Sequence, residues 1–179
     1  RLFGQGRAGT RRLWFGSGWG RLCLRLGSTA ISPGGGKLSL LAIERCLSPN
    51  FGPRKGGLAP YLIVVHYTAM PNAQAALERL SDPAHEVSAH YFLDQSGGAV
   101  QLVPEAQRAW HAGAGAWGGC TDINSASIGI ELCNAGDHAF SSAQMQALKS
   151  LLKEVMQRWG IAAQGVIGHS DMAPGRKQD

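Results

Sequence analysis

The sequence predicts an α/β fold in which a mixed central β-sheet is flanked by α-helices. The runs YLIVVH (61–66) and SIGIELC (127–133) have the length and composition of buried strands. Between and after them lie segments with helical character at 71–82 and 141–160. Because strands and helices interleave without a strict βαβ repeat, we expect a mixed sheet rather than a purely parallel one.

The first half of the domain divides into four segments. SPNFGPR (48–54) is a turn-rich entry, and YLIVVH (61–66) is the first predicted strand. PNAQAALERLSD (71–82) predicts a helix of moderate amphipathicity. VSAHYFLDQSGGAVQLV (87–103) alternates in polarity across Ser-Gly-Gly, which indicates a β-hairpin.

The second half begins with a long glycine- and alanine-rich segment, 105–124, which is more typical of a ligand-site lining than of a core. The helix predicted at 141–160 starts after serines and ends at a glycine. VIGHSD then brings a short strand to His169, and the proline, glycine and cations of 168–179 predict an irregular loop. The apolar stripe of the helix, which we assign to the core, consists of Met145, Leu148, Leu152, Val155 and Trp159.

Charge and composition divide the chain into two parts. Its 179 residues, 44% of them hydrophobic, are enough for one globular domain with a real core. Residues 1–37 hold seven of the 17 Lys and Arg and none of the 12 acids, so the net charge of +5 comes from this part. We predict that 1–37 is a disordered or non-native basic leader rich in Gly and Arg, and that 38–179 is the folded domain.

The basic leader leaves one alternative function open. Trp14 and Trp19 stand among its arginines, as in an arm that binds nucleic acid. The rest of the chain carries a small negative charge, so we expect no nucleic-acid partner. No stretch approaches the ~18 apolar residues of a membrane span, and we expect a monomer.

Cysteine usage bears on the compartment. The four cysteines form no CxxC pair and show no spacing typical of a secreted disulfide framework, which favours a reducing compartment. The run RLCLRLGSTA is broken by arginines and does not resemble a secretory signal. We therefore expect a cytoplasmic protein, with a periplasmic location left open if the true N-terminus carries a signal. Cys133, within an apolar run, is expected to be a buried thiol.

Three ionisable residues are candidates for one site. His66 and His169 each follow an apolar run at a strand end, and Asp179 lies ten positions after His169 beyond a cation-bearing loop. Two imidazoles and a carboxylate can hold zinc and leave a fourth position for water. Spacing alone does not decide between such a site and histidines satisfied within the core.

Five segments, taken in order, are more specific than this spacing. They resemble the zinc-dependent N-acetylmuramoyl-L-alanine amidases of the AmpD and AmiD type, over residues 48–179. That family shares its fold with certain phage lysozymes and with peptidoglycan recognition proteins. The segments are VVHYTAM, VSAHYFLDQSGGAVQLVPE, RAWHAG, NSASIGIELCN and GHSDMAPGRKQD.

The resemblance implies a hydrolase of cell-wall turnover or recycling. Its substrate would be the amide that joins N-acetylmuramic acid, or its 1,6-anhydro form, to L-alanine in peptidoglycan fragments. It implies one zinc ion per chain, with His66, His169 and Asp179 as the ligands. By motif position, Glu131 would handle the proton of the attacking water, and Lys177 would face the developing oxyanion.

Other site residues are predicted with alternatives left open. Core packing remains an alternative for Trp110, an ion pair with Arg108 for Glu131, and capping of a turn for Asn124. Lys177 has exposure to solvent as its alternative. His90 is expected to be a hydrogen-bonded core histidine rather than a ligand. The residues predicted to contact substrate are Tyr67, Arg108, Trp110, His111 and Asn124.

Two departures from the family pattern stand out. Some members carry an arginine immediately before VSAH that contacts the stem peptide, whereas this chain has Glu86. Members also continue past the third ligand, so we expect that a domain ending at Asp179 is C-terminally truncated. A non-catalytic peptidoglycan recognition module is the alternative function, although such relatives usually lack one of the metal ligands.

Overall fold

The computed structural model describes residues 41–179, so the predictions for the leader 1–37 lie outside the described residues. The helices of this part are α1 (Ala73–Ser81), α2 (Ile123–Ala126), α3 (Ser142–Trp159) and α4 (His169–Met172). The strands are β1 (Ile43–Arg45), β2 (Phe51–Pro53), β3 (Leu62–Tyr67), β4 (Tyr91–Leu93), β5 (Ala99–Gln101), β6 (Gln107–Ala109), β7 (Ser127–Leu132) and β8 (Val166–Gly168).

Six of these strands form the central sheet, in the order β1-β5-β4-β7-β3-β8. Strands β4 and β5 are antiparallel, as the predicted hairpin requires, and the other neighbouring pairs are parallel. Strands β2 and β6 form a separate antiparallel pair. The predicted mixed sheet with flanking helices is therefore confirmed.

The two faces of the sheet carry different residues because side chains alternate along a strand. Ile63 on β3 and Ile128 and Ile130 on β7 face α3 and pack with its buried side chains. Leu62 and Val64 point to the other face and pack with residues of α2 and α4. The candidate site lies on this second face, beyond Val64.

Helix α3 has the predicted caps, but its buried face differs from the prediction. Ser141 Oγ accepts a hydrogen bond from Gln144 N at 3.0 Å, and Gly160 ends the helix at φ 67°. Met145 is 43% exposed, so its assignment to the core was wrong. Gln144 takes the buried place instead, because its amide donates to the carbonyls of Leu93 and Cys133 at 3.0 and 3.1 Å.

A buried carboxylate joins the sheet to the end of α3. Glu105 accepts hydrogen bonds from the hydroxyl of Tyr91 at 2.7 Å and from the indole of Trp159 at 2.7 Å. Arg158 pairs with the same carboxylate. With three donors the buried charge is satisfied, so Glu105 serves the fold rather than the site.

Several local predictions were incomplete. The three-residue strands β1, β2 and β6 were not predicted, and residues 169–172 form a short helix where an irregular loop was expected. Asp171 caps this helix, accepting a hydrogen bond from Gly168 N at 2.8 Å. Cys133 is a buried free thiol, as expected, whereas Cys46 is disulfide-bonded. Among the described residues, no helix is long and apolar enough to cross a membrane.

Candidate metal centre

The candidate centre forms where two neighbouring parallel strands end. His66 lies near the end of β3, and His169 is the first residue of α4, directly after β8. Val65 pairs with Gly168, so the register of β3 and β8 brings the two histidines to the same edge of the sheet. The tail after α4 then returns Asp179 to this point, where its backbone carbonyl accepts a hydrogen bond from Ser170 N.

The three predicted ligands lie within reach of one ion. The Nδ1 atoms of His66 and His169 are 2.8 Å apart, and Asp179 Oδ2 lies 3.5 and 3.3 Å from them. Ligand atoms on a tetrahedral zinc ion, with bonds of about 2.1 Å, are roughly 3.4 Å apart. Both histidines are almost fully buried, at 2% and 3% exposure. The structure thus brings His66, His169 and Asp179 together as a candidate metal site.

The protonation of His169 supports a cation at this point. Its Nε2 lies 2.8 Å from the carbonyl oxygen of Ala112, which can only accept, so Nε2 carries the proton of the neutral ring. The Nδ1 of His169 therefore points an unshared electron pair toward His66 and Asp179. A metal ion accepts both this electron pair and one from the carboxylate of Asp179, so the donor set fits zinc.

The charges of the other two ligands agree with this fit. Burial lowers the pKa of His66 to about 4, so the ring is neutral at pH 7. Burial alone would raise the pKa of Asp179, but the neighbouring imidazoles of His169 and His66 outweigh it and hold the pKa below its usual range. The site therefore offers neutral imidazole and an ionised carboxylate, the forms that bind metal.

Glu131 lies beside His66, because the two residues are direct partners in the parallel pairing of β3 and β7. Its Oε2 is buried and has no hydrogen-bond partner among the residues that the structure describes. Burial and the carboxylate of Asp179 raise the pKa of Glu131 to about 8, against the opposing charge of Lys177. An unpaired carboxyl group that titrates near neutrality is suited to proton transfer.

The alternative reading of Glu131, as the ion-pair partner of Arg108, does not hold. Arg108 donates to Asp122 Oδ1 at 3.0 Å, and Asp122 caps the start of α2 by accepting a hydrogen bond from Ser125 N. Arg108 thus fixes the entry to α2. Its predicted contact with substrate remains a prediction.

Lys177 lies on the tail between α4 and Asp179, and its side chain is exposed. Its backbone N donates to Ala173 O at 3.1 Å, which keeps this part of the tail folded against α4. Its charge lowers the pKa of both Glu131 and His66, so Lys177 lies close enough to act on the candidate centre. This placement is consistent with the predicted role at a developing negative charge.

The loop that carries Trp110, His111 and Ala112 supports both histidine ligands. Asn124 Oδ1 accepts from the backbone N of His111 at 3.0 Å and of Ala112 at 2.8 Å. Asn124 therefore fixes a distant loop rather than capping a turn of its own, and its predicted contact with substrate remains a prediction. The ring of His111 lies 3.0 Å from His66 Nε2, a contact that the sequence did not predict. The Trp110 backbone pairs with Ser88, and its side chain is partly exposed.

Two further residues lie away from the ligands. Tyr67 alternates with His66 along β3, and it packs against the core that faces α3 rather than toward the metal site. His90 is a hydrogen-bonded core histidine, as expected. Its Nδ1 accepts from Gly129 N at 2.9 Å, and its Nε2 lies 3.0 Å from Gln107 O.

Comparison with known proteins agrees with this geometry. A sequence profile of the family described as N-acetylmuramoyl-L-alanine amidase matches residues 56–179. The amidase AmiD of Escherichia coli is 40% identical over 134 residues, which cover 66% of this chain and 48% of AmiD. The 1,6-anhydro-N-acetylmuramyl-L-alanine amidase AmpD of the same species is 34% identical over 157 residues, which cover 78% of this chain and 86% of AmpD.

Solved structures show the same relationship. A crystal structure of a selenomethionine derivative of AmpD superimposes with a TM-score of 0.69 at 33% identity, covering 75% of this chain and 85% of that one. A second structure is AmiD from Escherichia coli in complex with anhydro-N-acetylmuramic acid-L-Ala-D-γ-Glu-L-Lys. It superimposes with a TM-score of 0.64 at 37% sequence identity, covering 70% of this chain and 54% of that one. The chain thus spans about half of AmiD and most of AmpD. By the match to the family profile and by its similarity to these enzymes in sequence and fold, the chain belongs to the N-acetylmuramoyl-L-alanine amidase family.

Proposed function

We propose that this chain is a zinc hydrolase that cleaves the amide bond between N-acetylmuramic acid, or its 1,6-anhydro form, and L-alanine in peptidoglycan fragments. The convergence of His66, His169 and Asp179 carries the proposal, together with the adjacent Glu131, whose buried Oε2 has no hydrogen-bond partner within residues 41–179. A metal site of this kind could be structural, but the adjacent group for proton transfer is what a hydrolase needs.

The metal that we propose for this site is one zinc ion per chain. Two imidazole nitrogens and one carboxylate oxygen form the type of set that leaves a position open for water in catalytic zinc sites. When bound, zinc polarises the scissile carbonyl and lowers the pKa of a coordinated water from about 16 toward about 7. Burial lowers the pKa of His66 and so favours the neutral ring that this binding requires.

Glu131 and Lys177 have complementary roles in the proposed reaction. In its ionised form, Glu131 accepts the proton of the attacking water through its buried Oε2, and it later returns a proton to the departing alanine nitrogen. Lys177, whose charge already acts on Glu131, opposes the negative charge that develops on the former carbonyl oxygen. Removal of a comparable donor costs about 3 kcal/mol of transition-state stabilisation.

Muropeptides are the proposed substrates. The full name of AmpD specifies the 1,6-anhydro form, and the structure of AmiD has been solved in complex with an anhydromuramoyl tripeptide. We propose that this chain accepts the same class, with the muramoyl group near the exposed edge of the loop that carries Trp110. Parallel assays with anhydro and reducing muropeptides then report which form is preferred.

The direct test is mass spectrometry of an anhydro-muropeptide incubated with the full chain and zinc, next to a sample containing EDTA. Zinc-dependent release of a peptide that begins with L-alanine is the expected result. A chain that binds zinc and muropeptide without releasing peptide would be a recognition module, and the proposed hydrolysis would be wrong.

The state of assembly and the compartment are further proposals. We propose that the protein is a monomer. Gel filtration coupled to light scattering measures its mass, and metal analysis of the same sample should give one zinc ion per chain.

We also propose that the protein is located in the cytoplasm, since Cys120 and Cys133 are free cysteines. Cys46 is disulfide-bonded in the structure, so alkylation trapping of this residue in intact cells tests the proposed compartment. A thiol at Cys46 that is reduced in the cell supports the cytoplasm, and an oxidised one indicates an exported protein.

A further inference from the structure

The two nitrogens of His66 face different partners. Nδ1 faces His169 and Asp179 in the candidate centre, whereas Nε2 lies 3.0 Å from Nδ1 of His111. A neutral imidazole carries one proton, so whichever partner receives it decides which nitrogen is left for a metal. The hydrogen-bond partner of Nε2 therefore determines whether Nδ1 of His66 is free to bind a metal ion.

Ser127 decides the direction of this hydrogen bond. Its hydroxyl lies 2.6 Å from the carbonyl oxygen of Ile123, which can only accept, so the hydroxyl proton is used there. The same oxygen lies 3.3 Å from Nε2 of His111 and is left to accept from it. With its proton on Nε2, His111 presents an unprotonated Nδ1 to His66. His66 then carries its own proton on Nε2 and leaves Nδ1 free.

Two neighbours hold the His111 ring in this place. Asn124 Oδ1 accepts from the backbone N of His111 at 3.0 Å and so fixes the residue that bears the ring. Gly129, on the strand beneath, leaves the space that the ring fills, since a Cβ there would lie 2.4 to 2.7 Å from three ring atoms.

We propose that His111 is a positioning residue of the metal centre: it accepts the Nε2 proton of His66 and thereby holds His66 in the tautomer whose Nδ1 binds metal. Ser127 fixes the tautomer of His111 in turn. This inference rests on the metal site of the proposed function, but it assigns His111 to His66 rather than to the substrate. Loss of the acceptor should weaken metal binding even where substrate is absent.

A matched pair of variants tests the acceptor. Asparagine and leucine have nearly the same shape, but only asparagine places an acceptor oxygen where Nδ1 of His111 lies. His111→Leu should raise the dissociation constant for zinc by about 10- to 100-fold, as is usual when the partner of a ligating histidine is lost. His111→Asn should restore affinity to within a few-fold of the wild type. Zinc affinity is measured by competition with a chromophoric chelator, with no substrate present.

Nitrogen NMR of the metal-free and zinc-loaded chain provides a second readout. The expected spectrum has the proton of His66 on Nε2, the proton of His111 on Nε2, and unprotonated Nδ1 in His111. Equal zinc affinities for the Leu and Asn variants, or a protonated Nδ1 of His111 in the zinc-loaded chain, would overturn the proposal. If the wild type itself binds no zinc, the proposed function fails before the role of His111 is tested, so the two failures are distinguishable.

Discussion

Substitution of Gly129 by alanine tests how closely the metal centre depends on packing. A Cβ at this position would lie 2.4 to 2.7 Å from ring atoms of His111, whereas ordinary contact begins at 3.4 Å, so the ring must retreat by about 1 Å. Such a movement is enough to break the 3.0 Å contact between His111 and His66. Overpacking of a well-packed site also costs about 1–3 kcal/mol of folding free energy.

The Gly129→Ala variant is therefore expected to lose both folding stability and zinc affinity. Urea unfolding of the metal-free chain should show a free energy of unfolding lower by about 1–3 kcal/mol. Chelator competition should show zinc affinity reduced by about 10- to 100-fold. Gly52→Ala is the matched control, because this strand glycine has no heavy atom within 4 Å of its added Cβ. Unchanged zinc affinity in Gly129→Ala would refute the argument that His111 supports the centre.

Three further predictions concern the site and the fold. Glu131→Gln should lower turnover by about 10²- to 10⁴-fold while zinc content stays at one per chain, and loss of zinc from the variant would instead make Glu131 part of the metal site. Glu105→Ala removes the acceptor of three donors on β4 and α3, so urea unfolding should show a loss of about 3 kcal/mol without a change in zinc affinity. Zinc at 100 times its dissociation constant should stabilise the chain by about 2.7 kcal/mol, and EDTA should reverse the gain in thermal unfolding. A midpoint that does not respond to zinc would contradict the site.

The sequence predicted the parts of the fold whose patterns repeat. The β-branched run at 61–66, the alternation across Ser-Gly-Gly and the capped helix at 141–160 correspond to β3, the β4–β5 hairpin and α3. Strands of three residues such as β1 and β6 carry too few side chains for a detectable period, and their pairing depends on distant parts of the chain. Met145 fits the helical spacing of the apolar residues in α3. That spacing does not show, however, which residues at the margin of the apolar face are buried.

The site was predicted unevenly for a similar reason. Motif position placed His66, His169 and Asp179 together, and the structure brings them into one cluster. The hydrogen bonds of His111 and Asn124 could not be predicted, because each joins segments brought together only by the fold. The one signal available was the histidine next to a tryptophan in the glycine-rich loop. That signal indicates a site but does not distinguish contact with substrate from support of a ligand.

Strand β7 shows why the site and the core can share so short a segment. Its isoleucines, Ile128 and Ile130, face α3 and belong to the core. The residues that alternate with them have three different tasks on the other face: Ser127 accepts from His111, Gly129 leaves room for its ring, and Glu131 stands beside His66. A shift of one residue in the pairing would turn every one of these side chains to the wrong face. The register of β7 with β3, fixed by its buried isoleucines, is therefore also what aligns the proposed proton-transfer group with the metal ligand.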